Sequence, residues 1–411
     1  MQTVLISGAG IAGPALAFWL RRFGFTPTVV EIAPAPRPGG QTVDLRGVSR
    51  TVVERMGLMP AVKARQVHER GLAYVRADGR WSAAMPADLL DGAGPVAEIE
   101  ILRGDLAEVL VDATSDVEYL YGDSIAELTQ DVAGVDVTFA SGGRRRFDLV
   151  IGADGVHSRV RRLAFGPEEQ FVHHLGGFTV EAPEDLDHWM KIYSAPGGRW
   201  VGLRPDHDPH RAKALLSFRS KVLNYGRHDP AAQKQLVRER FEGLGWHTDH
   251  ILRGLDQATD FYLDSESRVV VPDWSRGRVA LVGDAGYCGS PLAGHGTALS
   301  LVGAYVLAGE LAAADGDHVR AFPAYQRRMR AYVDQRTELP PGGIRMAMPM
   351  TSFGIAYRDL TIRVLTSRLM AGTLTKLAAA KPDAIDLPDY ALPDNSVQRR
   401  DPLGVAAEET E

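Results

Sequence analysis

Residues 3–31 read TVLISGAGIAGPALAFWLRRFGFTPTVVE, and this stretch decides the fold. Thr3–Ser7 is a short apolar run of strand character. Ala15–Phe23 is helical in composition, Gly24 ends it, and Pro27–Val30 is β-rich and closes on Glu31. Two short strands joined through a helix pair in parallel. Between the first strand and the helix, Gly8, Gly10 and Gly13 fit the spacing G-x-G-x-x-G, with Ile11 and Ala12 completing the turn. Gly8 permits the tight turn, Gly10 lets backbone approach a pyrophosphate, and Gly13 lets helix and strand pack closely. The helix N-terminus offers free N–H groups and partial positive charge to phosphates. Glu31 stands where an acidic residue binds a ribose hydroxyl. The motif marks a dinucleotide site and leaves FAD and NAD both open.

Working outward, Ala33–Gly40 is a Pro/Gly loop, and Val48–Met56 and Gly104–Asp112 carry apolar residues at helical spacing. Val117–Phe139 alternates between turns at Gly122 and Gly134, which predicts a small meander. Phe147–Ile151 and Val279–Val282 read as buried strands, each followed by a glycine turn, GADG and GDAG. The aromatic-rich region near 168–268 mixes short strands with a helical piece at Ala231–Phe241. A long helix starts near Gly296, a second covers Phe322–Val333, and Thr351–Leu377 is mainly helical before a Pro-rich polar tail. The expected fold class is α/β: a Rossmann-like domain built from 1–71, 98–167 and 269–340, an inserted α+β substrate domain from 72–97 and 168–268, and a C-terminal helix and tail at 341–411.

The chain has 411 residues, enough for two packed domains with a large core. A net charge of −6 leaves no basic face for nucleic acid. The lone Cys288 excludes an internal disulfide framework and any multi-cysteine metal site, as in a reducing cytoplasm. The start MQTVLISGAG lacks a signal-peptide pattern, and the apolar stretches read as too interrupted for a membrane helix, so no membrane partner is expected. Twelve histidines include neither H-E-x-x-H nor a zinc pattern, and His173-His174 reads as a surface or hairpin pair.

Three blocks, GAGIAG, GADGVHSRVR at Gly152–Arg161 and GDAGYCGSPLAGHG at Gly283–Gly296, stand in the order and spacing of the single-component flavoprotein aromatic hydroxylases. The chain resembles that family over nearly its first three hundred residues. WSRGRVALVGDA, upstream of the third block, also matches. GGQTVDLRG at Gly39–Gly47 and SFGIAYRDLTIRVLTSR resemble its tetracycline-modifying and polyketide-tailoring branch.

The resemblance implies FAD as resident cofactor and NADPH or NADH as reductant. It implies O2 as co-substrate and an aromatic or polycyclic small molecule as acceptor, oxygenated through a flavin C4a-hydroperoxide. It assigns Asp284 to flavin-side hydroxyls and Arg103 to the pyrophosphate. Asp154 and Gly155 go to FAD and the path of NAD(P)H, and Asp44 and Arg46 to the flavin surroundings. The resemblance also turns Gln41 toward the substrate. Gly283, Pro291, Gly294, His295, Gly296 and Thr297 bring backbone and a helix N-terminus to the flavin ring, where the helix dipole favours the reduced anion. No side chain is expected to act as acid, base or nucleophile, because the oxygen chemistry belongs to the cofactor. The family's halogenases carry a G-W-x-W-x-I-P block that is missing from this chain. A halogenase, a reductase and a redox-silent flavin binder remain the alternatives. The chain departs from the family pattern at Tyr287, where many members have His, at His295, where many have Gln, and at Gly303–Ala304, where an acidic pair is common.

Overall fold

The opening stretch forms strand Thr3–Ser7, helix Ala12–Arg22 and strand Thr26–Glu31, and the strands pair in parallel with Ile6 opposite Val29. The helix starts before Ala15 because Pro14 sits in its first turn, where a missing N–H costs nothing. Gly24, at φ +88°, ends it. The computed structural model describes residues 1–36, 40, 42–90, 99–166, 173–206, 208, 210–220, 229–266, 269, 271–289, 294–338, 342–367, 370 and 383–391.

Within the described residues the central sheet orders its strands Ser275–Arg276, Val279–Leu281, Leu149–Gly152, Thr3–Ser7, Thr26–Glu31 and Glu118–Tyr121, parallel except at the first pair. One face is covered by the helices Ala12–Arg22, Gly296–Ala313 and His318–Thr337, and the other by an antiparallel meander. That meander is Ile125–Gln130, Val135–Phe139 and Arg144–Phe147. Residues 117–121 were expected in it, but Glu118–Tyr121 joins the parallel sheet instead, since Thr28 and Glu118 lie in register and share a 3.0 Å side-chain hydrogen bond.

Helix Gly296–Ala313 corrects a second expectation. It is the one helix among the described residues long and apolar enough to cross a membrane, and 83% of it is buried inside the protein. Its residues are apolar all round because helices and sheet enclose it, as in any central core helix.

A seven-stranded sheet is assembled from two separate parts of the chain, 71–86 and 173–266. Its order is Tyr262–Glu266, His173–Glu181, Arg211–Arg219, Arg199–Pro205, Trp189–Ala195, Gly71–Val75 and Trp81–Pro86. His173 and His174 open a strand paired on both sides, not a hairpin. Helices Pro230–Phe241 and Thr248–Gln257 bury one face over Phe178, Val201, Leu216 and Phe218. Residues on the opposite face include Leu72, Met190, Ile192 and Leu215, with Tyr74 and Trp200 beside them. Arg204 alternates onto this second face and pairs with buried Glu69 and Glu100. Burial opposes the Arg204 charge, but the Glu69 and Glu100 carboxylates outweigh it and raise its pKa. Glu100 lies opposite Asp44 in a small sheet of Thr42–Asp44, Glu100–Leu102 and Gln66–Val67, so this ion cluster joins the large sheet to the nucleotide-binding side.

The C-terminal helix is Ser352–Leu365. Its buried Arg358 lies 3.8 Å from the Tyr74 ring centre, pairs with Asp359 and donates to Ser194 at 2.9 Å. The tail was expected only as polar and Pro-rich. Residues 383–391 dock instead on the core: Ile385 is buried, Tyr390 donates to Glu310 at 2.7 Å, and Arg55 and Tyr305 both donate to the Pro388 carbonyl. The last ten residues lie outside the described set.

Candidate functional site

The three glycine blocks meet at the ends of the central strands. A Cβ on Gly8 would lie 2.5 Å from the Ala153 carbonyl oxygen and 2.8 Å from the Asp154 Cα, so the first block touches the second. A Cβ on Gly283 would lie 3.1 Å from the Ala12 Cβ and 3.0 Å from the Ser300 hydroxyl, so the third block touches the first and the core helix. Arg161 closes the triangle: it is buried and donates to the Ala285 carbonyl at 2.7 Å and to that of Val156. Sequence reading placed it only as one member of the Asp154 block.

The turn itself has two kinds of glycine. At Gly13 a Cβ would overlap the Gly8 carbonyl oxygen, so only Gly lets the helix sit on the strand. At Gly10 a Cβ would meet only the Arg103 guanidinium, at 3.4 Å. Gly10 therefore leaves a shallow cradle with a cation beside it. The helix that starts at Ala12 has no side-chain cap and no acid in its first turn, so its N-terminal charge is unopposed locally. A bare backbone cradle, a helix N-terminus and an arginine form a donor set that fits a pyrophosphate. Glu31 accepts the Ala9 N–H at 2.8 Å and the Ala33 N–H at 2.9 Å, which fixes the turn.

Asp154 is oriented inward. It accepts from Ser158 at 2.5 Å, from the N–H groups of Arg159 at 2.7 Å and Val160 at 3.2 Å, and from Ser7 at 3.3 Å. Burial raises its carboxyl above the ordinary value against the pull of Ser158 and those N–H groups. It takes the first two N–H groups of the short helix Arg159–Ala164, whose N-cap is Ser158, and Gly155, at φ +78°, follows it on the turn.

At the other end of the site, a Cβ on Gly296 would lie 3.6 Å from the Asp284 carboxylate. Gly294 is at φ +70°, and His295 is the N-cap residue of Gly296–Ala313 without making a side-chain cap. That helix also has no acid in its first turn, and Thr297 is buried there. Asp44 and Arg46 form a 2.8 Å ion pair. His295 Nε2 lies 3.4 Å from Arg336. Burial, then Arg336 and Arg46, push the His295 imidazolium down to about 4, so the ring is neutral at neutral pH. Arg336, which no motif marked, pairs with Asp383. Pro291 and Gln41 lie outside the described residues.

Tyr287 and Gly303, both departures from the family pattern, explain each other. A Cβ on residue 303 would overlap the Tyr287 hydroxyl. That hydroxyl shares a 2.7 Å hydrogen bond with Tyr325, which donates to the Leu281 carbonyl at 3.1 Å. Burial raises the Tyr287 phenol to about 12, so it stays protonated. The pair packs the core beneath the GDAG turn.

A family model described as an FAD binding domain matches residues 1–339. The flavin-dependent monooxygenase of Legionella longbeachae serogroup 1 (strain NSW150) is 40% identical over 336 residues, spanning 80% of this chain and 86% of its own. The crystal structure of tetracycline destructase Tet(51) aligns with a TM-score of 0.80 at 33% identity, over 95% of this chain and 100% of that one. That of Klebsiella pneumoniae HpxO complexed with FAD and uric acid shares the fold, with a TM-score of 0.73 at 20% identity over 93% and 97% of the two chains.

Proposed function

The chain belongs to the FAD-binding family of flavin-dependent monooxygenases, and from that premise we propose that it oxygenates a polycyclic, aromatic or polyketide-like small molecule with NADH or NADPH as reductant. The observation that carries this reading is that the Gly8–Gly13, Ala153–Gly155 and Gly283–Asp284 turns touch one another, and that the Asp284 carboxylate reaches the first residue of the Gly296 helix. Such an arrangement fits a dinucleotide with a charged middle and a flat end.

In this reading Gly8, Gly10, Ile11, Ala12, Gly13 and Arg103 hold the pyrophosphate, and Glu31 holds a ribose hydroxyl. Asp284 accepts from hydroxyls of the linking chain. Gly283, Gly294, His295, Gly296 and Thr297 offer backbone to the ring, and Asp44 and Arg46 flank it. Asp154 acts by shaping the turn, so Gly155 is the part of its block that lines the reductant's path. Pro291 keeps its place by resemblance alone.

Bound FAD would supply the redox chemistry, taking a hydride from the nicotinamide and activating O2. The protein's part is to bind, orient and exclude water. The N-terminus of Gly296–Ala313 favours negative charge at the ring, and the Arg46 and Arg336 guanidinium groups, each paired with a carboxylate, lie at the same end. Neutral His295 can donate or accept one hydrogen bond there without adding charge. The substrate is assigned to the large sheet's second face, against Leu72, Met190, Ile192 and Leu215. Two facts support a polycyclic substrate: that face carries an apolar cluster flanked by the Tyr74 and Trp200 rings, and a 33% identical relative is named a tetracycline destructase.

The test is direct. Purified protein should be yellow and should oxidise NAD(P)H faster when a polycyclic phenol is added, with a product heavier by one oxygen atom. Asp284→Ala should lower FAD occupancy strongly. A colourless protein that takes up no FAD, or full occupancy in the Asp284→Ala variant, would remove the basis for this assignment.

A further inference from the structure

Arg336 forms a partly buried pair with Asp383, a residue of the C-terminal tail. Asp383 does two things at once. One carboxylate oxygen pairs with Arg336, whose other nitrogen faces His295 at 3.4 Å. The other accepts the N–H of Val48 at 2.9 Å, and a Cβ on Gly47 would overlap it. Gly47 has φ +49° and ψ −132°, a conformation open to glycine, so the loop after Arg46 is shaped around this carboxylate.

The charges fall into a pattern. Two guanidinium groups act on His295, Arg336 and Arg46. Each has its own carboxylate: Asp44 lies 2.8 Å from Arg46, and Asp383 pairs with Arg336. Asp44 and Arg46 stand two residues apart in the chain, so their pairing is local. Arg336 gets its partner only when the far end of the chain docks.

We propose that Asp383 is a positioning residue of the cofactor site. It holds the Gly47–Val48 loop and the Arg336–His295 pair in one arrangement at the N-terminal end of Gly296–Ala313, and offsets the charge that Arg336 would otherwise add there. This rests on the reading that the flavin ring lies at that end. Removing the carboxylate frees the loop, which weakens FAD binding. It also leaves Arg336 uncompensated, which favours the anionic reduced flavin and makes the midpoint potential more positive. The rest of the tail stays docked without Asp383, because Tyr390, Pro388 and Ile385 have their own contacts.

The experiment compares wild type with D383N, D383E, R336Q and Y390F. FAD affinity is followed by flavin fluorescence, the midpoint potential by spectroelectrochemistry, and apoprotein stability by thermal unfolding. D383N should bind FAD about tenfold more weakly, the loss of one charge-assisted contact, with a more positive potential. D383E should recover part of both. R336Q should shift the potential the opposite way, and it carries the test if D383N does not fold. Y390F loosens the far end of the tail and should leave the potential unchanged. D383N with wild-type affinity and potential would overturn the proposal, as would equal affinity losses in D383N and Y390F with no shift in potential. If wild type itself takes up no FAD, the cofactor reading fails first and the proposal falls with it. If wild type binds FAD and D383N matches it, only the role of Asp383 is lost.

Discussion

The hydroxyl of Tyr287 occupies the space that any side chain at position 303 would need, and Gly303 leaves it free. The two residues belong to different elements, the one-turn helix Asp284–Tyr287 and the core helix Gly296–Ala313. They form one packing unit with Tyr325 and Trp274, whose ring centre lies 4.5 Å from that of Tyr287.

Gly303→Ala should therefore destabilise the protein by about 1–3 kcal/mol, the usual cost of overpacking a close-packed core. Tyr287→Phe should cost about 1 kcal/mol alone, since Tyr325 still donates to Leu281. In the double variant the costs should not add, because the phenyl ring gives the new methyl room. Urea unfolding of the four proteins reads the coupling, and strict additivity would contradict the shared-space account.

Two glycines of the first turn should separate folding from binding. Gly13→Ala drives a Cβ into the Gly8 carbonyl, and backbone cannot yield there, so little folded protein should be recovered. Gly10→Ala meets only the movable end of Arg103, so apoprotein stability should stay within about 0.5 kcal/mol of wild type. Its FAD affinity should nevertheless drop about tenfold, since the methyl fills the pyrophosphate cradle. Thermal unfolding of apoprotein and FAD titration measure the two effects, and undiminished FAD affinity in Gly10→Ala would count against the cradle.

His295 gives a pH dependence of defined sign. Burial and the Arg336 and Arg46 charges push its pKa down to about 4, from an ordinary value of 6.5. Between these values the unfolded chain binds a proton that the folded protein does not, so this group's contribution to stability falls as pH drops from 6.5 toward 4. His295→Gln removes the titration. Its stability relative to wild type should rise over that window, by about 1–2 kcal/mol once solvent screening of a partly exposed ring is counted. Denaturant unfolding at several pH values tests this, and parallel curves for the two proteins would refute it.

Tyr390 fills a notch that exists because residue 309 is glycine. Its ring centre lies 5.3 Å from that of Tyr305 and 6.3 Å from that of Phe23. Gly309→Ala should expel the ring and release the tail. Limited proteolysis should then cut within 383–391 at a rate well above wild type, and global stability should fall by about 1–3 kcal/mol. Equal cleavage of the two proteins would show that the tail is held elsewhere.

Much of the site was legible because its parts are local demands on backbone. Gly8, Gly10 and Gly13 announce a turn with close approaches, and the flanking periodicities announce strand and helix, so the parallel pairing of Thr3–Ser7 with Thr26–Glu31 followed directly. What was missed lay in side-chain partners distant along the chain. Glu118–Tyr121 looked like meander until its register with Thr28–Glu31 placed it in the central sheet. Asp154 carried the right motif, but only the structure shows its carboxylate turned inward onto Ser7 and the cap of Arg159–Ala164.

Residue order alone carries where the chain turns, which stretches run as strand or helix, and that three glycine-rich turns sit at the ends of buried strands. These follow from φ/ψ freedom and short-range periodicity, which a few neighbouring residues carry. Folding in three dimensions is what sets Gly303 against Tyr287, ties two turns together through Arg161, and brings Asp383 from the tail to Arg336 and Val48. Such pairings depend on which surfaces packing brings within a few ångströms, and separation along the chain carries no record of that distance.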